Sequence, residues 1–200
     1  MSVRSRPFAA LALAGLLALQ PLSALACTMP KTAGLNPADQ ERMRDFWGAR
    51  SQGLAEALVA ESAADRAVLH GLFAAGDAPL QAIPDGDYRC RTIKLGGLLP
   101  LTVYSAFDCT ISGNGTRIDK QTGSQRFSGS LMPAGTALFY RGALNYDDEA
   151  PLAYDADPER NQVGCLYGVP DNGSGPRYRL ELPRPHFESN HDVIELVPKR

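Results

Sequence analysis

From residue 86 onward, apolar and polar residues alternate in short runs separated by turn residues, the pattern of strands with one face buried. The stretch GDYRCRTIKLGGLLPLTVYSAFDCTISGNG, Gly86 to Gly115, reads as a long β-hairpin. In its first strand Tyr88, Cys90 and Thr92 share one face while Arg89 and Arg91 take the other. In its second, Val103, Ser105, Phe107, Cys109 and Ile111 face away from Tyr104, Ala106, Asp108 and Thr110. After the Asn114-Gly115 turn come runs at Thr116 to Gln121, Ser124 to Leu131 and Thr136 to Asn145, then an acidic loop, then Asn161 to Val169, Arg177 to Leu182 and Asp192 to Val197. Roughly eight strands with mostly short turns predict an antiparallel meander, closed into a small barrel or strongly rolled; a sandwich is the alternative.

Ahead of the strands the period changes to 3.6. Asn36 as N-cap and Pro37 at the first helical position open an amphipathic stripe of Met43, Phe46, Trp47, Leu54 and Leu58, with a weak point at Gly53. Ser62 followed by Asp65 repeats the capping logic for Val68, Leu69, Leu72 and Phe73, and Gly76 ends that run. The expected body is α+β: a helical hairpin over residues 36–76, a linker, and a β-region over residues 84–198, in one domain from 36 to 200.

Residues 1–26 have a different character. Arg4 and Arg6, an apolar run from Phe8 to Leu19, and Ala24-Leu25-Ala26 match a cleavable export signal. The run of about a dozen residues is shorter than the roughly 20 needed to cross a bilayer. The mature chain would begin at Cys27, with a flexible leader from 27 to 35. Acylation of Cys27, as in an outer-membrane lipoprotein, is an alternative, although Ala24 and Leu25 fit that signal poorly; a membrane contact is expected only in that case. Losing Arg4 and Arg6 takes 20 basic residues to 18 against 22 acidic ones, so the formal charge moves from −2 to −4. Nothing in that balance suggests nucleic acid.

Export also frames the four cysteines, at 27, 90, 109 and 165. Cys90 and Cys109 lie on the inward faces of adjacent strands, and placing them opposite one another centres the loop between Leu99 and Pro100. Cys27 with Cys165 is the remaining pair, unless Cys27 carries lipid and Cys165 is a lone thiol.

Candidate chemistry is sparse. His186, Glu188 and His191, in the corner His186 to Asp192, form the densest group of acid-base side chains, and a catalytic or metal role requires them to converge. The acidic loop offers Asp147, Asp148, Glu149, Asp155, Asp157 and Glu159, but its spacing departs from a calcium-binding loop and it reads as solvated. Arg89, Arg91 and Lys94, joined by Arg117, Lys120 and Arg126 if the strands pair in order, suggest a basic outer stripe for an anionic partner or simply a wet sheet face. No nucleophile elbow, HExxH, P-loop or dinucleotide motif occurs, and no cofactor or metal is implied. His70 and Trp47 read as packing residues.

The phrases GDYRCRTIKLG, TGSQRFSG, YDADPERNQVG and PHFESNHDVIELVP resemble a bacterial family of exported proteins classed as domain of unknown function 4893, over about Asp65 to Pro198. The resemblance implies a Gram-negative envelope location and a single helix-plus-sheet unit; it carries over no catalytic or binding residue. The resulting expectation is an exported periplasmic protein that binds a small molecule or an envelope protein partner without catalysis. Alternatives are a hydrolase-type enzyme using His186, Glu188 and His191, and a periplasmic protease inhibitor using the leader from Cys27 to Leu35 as a wedge.

Overall fold

The computed structural model describes residues 27–199, so the expected signal at 1–26 lies outside the described residues. The alternating runs form eight strands: β1 Gly86–Leu95, β2 Leu101–Ser112, β3 Arg117–Lys120, β4 Gln125–Ala134, β5 Ala137–Tyr146, β6 Asn161–Val169, β7 Arg177–Pro183 and β8 His191–Pro198. Each pairs antiparallel with the next, and β1 pairs with β8, so the sheet is a closed barrel rather than a sandwich. Every strand has a neighbour on both sides, although the four-residue β3 pairs with only Cys109–Ser112 of β2. The interior is packed with apolar side chains from every strand, among them Ile111, Ile118, Phe127, Tyr140, Leu166 and Leu196.

Both expected disulfides form, Cys90–Cys109 inside the barrel and Cys27–Cys165 on its outer wall. The register of the first corrects the sequence reading. Cys90 lies opposite Phe107 and Cys109 opposite Tyr88, so the bridge runs diagonally between Cα atoms 5.8 Å apart. The loop accordingly centres on Leu98, between paired Leu95 and Leu101. A bulge also intervenes: from Arg91 to Ile93 on β1 the partner advances from Ala106 to Val103, one residue more on β2. The extra residue reverses the faces, so Phe107 and Cys109 point inward while Leu101 and Val103 lie on the outer wall under the helices. Strict alternation had put Val103 with Cys109.

Three helices, not two, cover that wall: α1 Pro37–Arg44, α2 Phe46–Ala57 and α3 Ala63–Phe73. The Asn36 and Ser62 side chains accept from the amides of Asp39 and Asp65, as the caps predicted. The break falls at Asp45, not Gly53. Gly53 instead permits close docking: a Cβ there would lie 2.9 Å from Leu95 Cβ and 3.0 Å from His191 Cβ. Trp47 is half exposed, in edge contact with Phe46 and beneath the Arg50 guanidinium, and His70 is exposed rather than packed.

Between helices and barrel lies a buried ionic cluster. On the outer face of β7, Arg179 and Glu181 are fully buried and 2.7 Å apart. Arg179 also binds Asp77 and the carbonyl of Leu72, and its guanidinium stacks 4.0 Å from the centre of the Phe73 ring. Arg50 of α2 reaches Asp77 at 3.3 Å and Glu181 Oε2 at 3.4 Å, and His191 Nε2 on β8 lies 2.9 Å from the same Oε2, Arg179 holding Oε1. Burial alone would raise the Glu181 pKa, but the His191 hydrogen bond and the Arg179 and Arg50 charges hold it down at about 2.

The leader, read as flexible, is packed. Cys27 pairs with Gly135 and is bridged to Cys165, Ala33 is fully buried, and Arg141 donates to the Ala33 carbonyl. This leaves no projecting wedge of the kind the inhibitor reading needs. The thioether of a lipid anchor requires the Cys27 sulfur, which is bonded to Cys165. The linker after α3 closes one end of the barrel: Ala78 bridges Gly168, Leu80 donates to Thr136, and Leu80 and Ile83 join the interior cluster. Gly115, at φ 74°, lets the chain pass there, since a Cβ would lie 2.4 Å from the Ile83 carbonyl oxygen.

Three outcomes follow for stability. Cys90→Ser with Cys109→Ser removes a cross-link spanning 19 residues and should cost about 3 kcal/mol, read from urea denaturation. Arg179→Met removes a buried counter-charge shared by Glu181 and Asp77 and should cost about 3–5 kcal/mol. Because the Glu181 pKa is depressed, its contribution is complete above the unfolded value of 4.5 and is lost as pH falls toward about 2; Glu181→Gln should flatten the stability profile across that window.

Candidate functional site

The barrel end opposite the linker is framed by the β1–β2, β3–β4, β5–β6 and β7–β8 connections. The inward positions nearest this mouth are polar where the rest of the interior is apolar. Lys94 is one of them. It pairs with Asp192, and its even number places it with Cys90 and Thr92, not with Arg89 and Arg91, so the sequence reading of Lys94 on the outer face is corrected. Its amine lies 3.1 Å from Glu188 and 3.4 Å from Asp192. Ser189 Oγ is 2.5 Å from the other Asp192 oxygen, and burial raises the Asp192 pKa against the pull of Lys94 and Ser189.

Lys120, at the end of β3 opposite Cys109, is likewise inside and 6% exposed. Its ammonium donates to the Gln125 carbonyl at 2.6 Å and lies 4.0 Å from the centre of the Phe107 ring, and it makes no salt bridge among the described residues. Burial first, then the positive charges of Lys94 and Arg126, push its pKa down to about 8. Arg42 of α1 approaches the same chamber from beside β6. Its Nη1 is held by Asp39 at 2.7 Å and by the Asn161 carbonyl at 3.0 Å, while its buried Nη2 has no hydrogen-bond partner.

These groups line a water-sized inner chamber of about 30 Å³, walled also by Phe127, Leu144, Gln162, His186 and Phe187. It adjoins an open pocket of about 250 Å³ between Tyr104, Phe107, Lys120 and Glu188, and a groove of about 170 Å³ along Leu98, Leu99 and Tyr104. Neighbouring hollows share residues: Lys120 lines the chamber and the pocket, and Tyr104 and Glu188 line the pocket and the groove.

The three acid-base candidates do not converge. His186 lines the chamber, where burial and Arg42 lower its pKa, and Glu188 is turned toward Lys94. His191 lies on the outer face of β8, fully buried against Phe46 and Glu181. The basic stripe also disperses. Arg89 lies 3.8 Å from Asp108, Arg91 2.9 Å from Glu195 and Arg117 2.9 Å from Asp119, while Lys94 and Lys120 are inside. In the acidic loop Glu149 pairs with Arg160 and Asp157 caps a short turn. Among the described residues, no group of His, Cys, Asp and Glu is placed to hold a metal ion. Sequence reasoning missed Arg42, which carries no motif. It misplaced Lys120, whose inward face follows from counting back from the turn after Ile111, which pairs with Ile118.

The fold is thus α+β, a closed eight-stranded antiparallel barrel with N-terminal helices laid on its wall. The profile described as domain of unknown function (DUF4893) matches residues 32–196, and the chain belongs to that family. No curated protein and no solved structure matches it.

Lys120 gives the site a measurable signature. With a folded pKa near 8 against 10.5 for a free lysine, the unfolded chain binds more protons between those values, so stability should rise with pH across that window. Urea titrations of Lys120→Met should lack this rise, and the Nζ resonance of Lys120 should titrate near pH 8 in the native protein.

Proposed function

We propose that this protein is an exported, non-enzymatic binding protein of the Gram-negative envelope that takes a small anionic ligand into the barrel mouth. The carrying observation is Lys120: a buried ammonium whose nearest influential charges, Lys94 and Arg126, are also positive. A buried cation without a counterion is costly, and an anion entering the mouth supplies one. The unpartnered Nη2 of Arg42 in the same chamber offers a second donor. Lys94 is already occupied by Glu188 and Asp192 and orders the rim instead. The envelope location is supported by the signal-like residues 1–26 and by two disulfides, which fit an oxidising compartment.

Calorimetric titration with hexanoate and with inorganic phosphate should detect binding at pH 7. The affinity should fall by up to about tenfold per pH unit above the lysine midpoint of about 8, because deprotonation removes the charge the anion meets. Lys120→Met should abolish binding while the fold is retained. Equal affinity in Lys120→Met, or no binding of either anion to the folded protein, would overturn the reading.

A further inference from the structure

We infer that the ligand is a single-tailed anionic amphiphile of the long-chain carboxylate type, its head on Lys120 and its tail along the groove under the β1–β2 tip. The inference rests on the anion reading of Lys120 and adds the tail.

Three observations carry it. First, the hollows are neighbours that share wall residues, Lys94 standing between chamber and groove as well. The chamber and pocket meet at Lys120, and the pocket continues at Tyr104 and Glu188 into the groove along Leu98 and Leu99. Second, large apolar side chains stand along one side of that route, facing the Lys94–Glu188 ion pair on the other. Beyond the Lys120 ammonium come the Phe107 ring in contact with it, then Tyr104 at 41% exposure, then Leu99 at 59% and Leu98 at 79%. Phe187, at 41%, stands on the other lip. Isolated exposed leucines are ordinary, but a cluster of exposed large apolar side chains around a buried cation is a matched pair of surfaces. Third, the rim is held in place. Leu98 N–H donates to the Glu188 carbonyl at 2.9 Å, and Gly97 N–H to the Glu56 carboxylate at 2.9 Å, so the tip is tied to the β7–β8 loop and to α2. Gly97, at φ 84°, permits that approach, since a Cβ would lie 2.4 Å from the Glu188 carbonyl oxygen.

Charge selects the head. Glu188, the acid beside the route, is engaged by Lys94, whereas Lys120 makes no salt bridge among the described residues. The inner chamber of about 30 Å³ is too small to hold a whole amphiphile. The apolar part must therefore leave through the mouth, and the groove is where apolar surface lies ready for it.

The test titrates the full mature chain with hexanoate and with decanoate below its micellar concentration, at pH 7. Decanoate should bind at least about tenfold more tightly than hexanoate, since each buried methylene adds a favourable increment. Leu98→Ser with Leu99→Ser should weaken decanoate more than hexanoate and close most of the gap between them. These positions are exposed, and an unaltered thermal transition would confirm that the variant folds. Equal affinities for the two chains, both lost in Lys120→Met, would overturn the amphiphile inference and leave the anion reading standing. Failure of both to bind the folded protein would overturn the amphiphile inference, and failure of inorganic phosphate as well would overturn the anion reading. Binding of anionic phosphatidylglycerol vesicles with no binding of monomeric decanoate would overturn the amphiphile inference in favour of a membrane surface.

Discussion

Glu181 is the point at which barrel and helices become one body. Its carboxylate is fully buried on the outside of the barrel, and it survives there because Arg179, Arg50 and His191 surround it. Arg50 comes from α2, and Asp77, which completes the charge balance, follows α3. Undocking the helices would expose these groups to water but would also cost the apolar contacts of Phe46, Leu69 and Leu72. The cluster thus fixes where the helices sit, while the hydrophobic seam supplies most of the gain.

That docking bears directly on the mouth. Arg42 enters the inner chamber because α1 lies beside β6, and Glu56 on α2 holds the β1–β2 tip through Gly97. The site is built partly by a barrel and partly by helices that the barrel alone would not hold. A helical element placed for packing also contributes a donor and a rim support.

Much of this was legible in the sequence, for a physical reason. Period-two alternation and turn residues are local, so the strand positions, both helix caps and both disulfide pairings could be read. What escaped depends on non-local geometry. The bulge in β2 reversed the face of Val103, and a mistaken parity put Lys94 outside, where it would have been one more solvated lysine. The break at Asp45 was hidden because nothing at that position marks a helix end, whereas Gly53 looked like a weak point and is a contact surface. His191 shares a short segment with His186 and Glu188 yet faces the other way, since β8 begins at it and takes it to the helix side. Lys120 needed the full register to be seen as a buried charge.

The linker that crosses the far end of the barrel closes that end beneath the packed core, so the chamber at the mouth has no outlet there. With Leu80 and Ile83 seated among the core residues and Tyr88 Oη donating to the Pro84 carbonyl at 2.8 Å, that end is a floor. A ligand of the kind proposed would enter and leave at the opposite end, past the tip and corner loop that meet at Leu98 and Glu188. A change there would alter how long a guest stays without altering the groups that greet it.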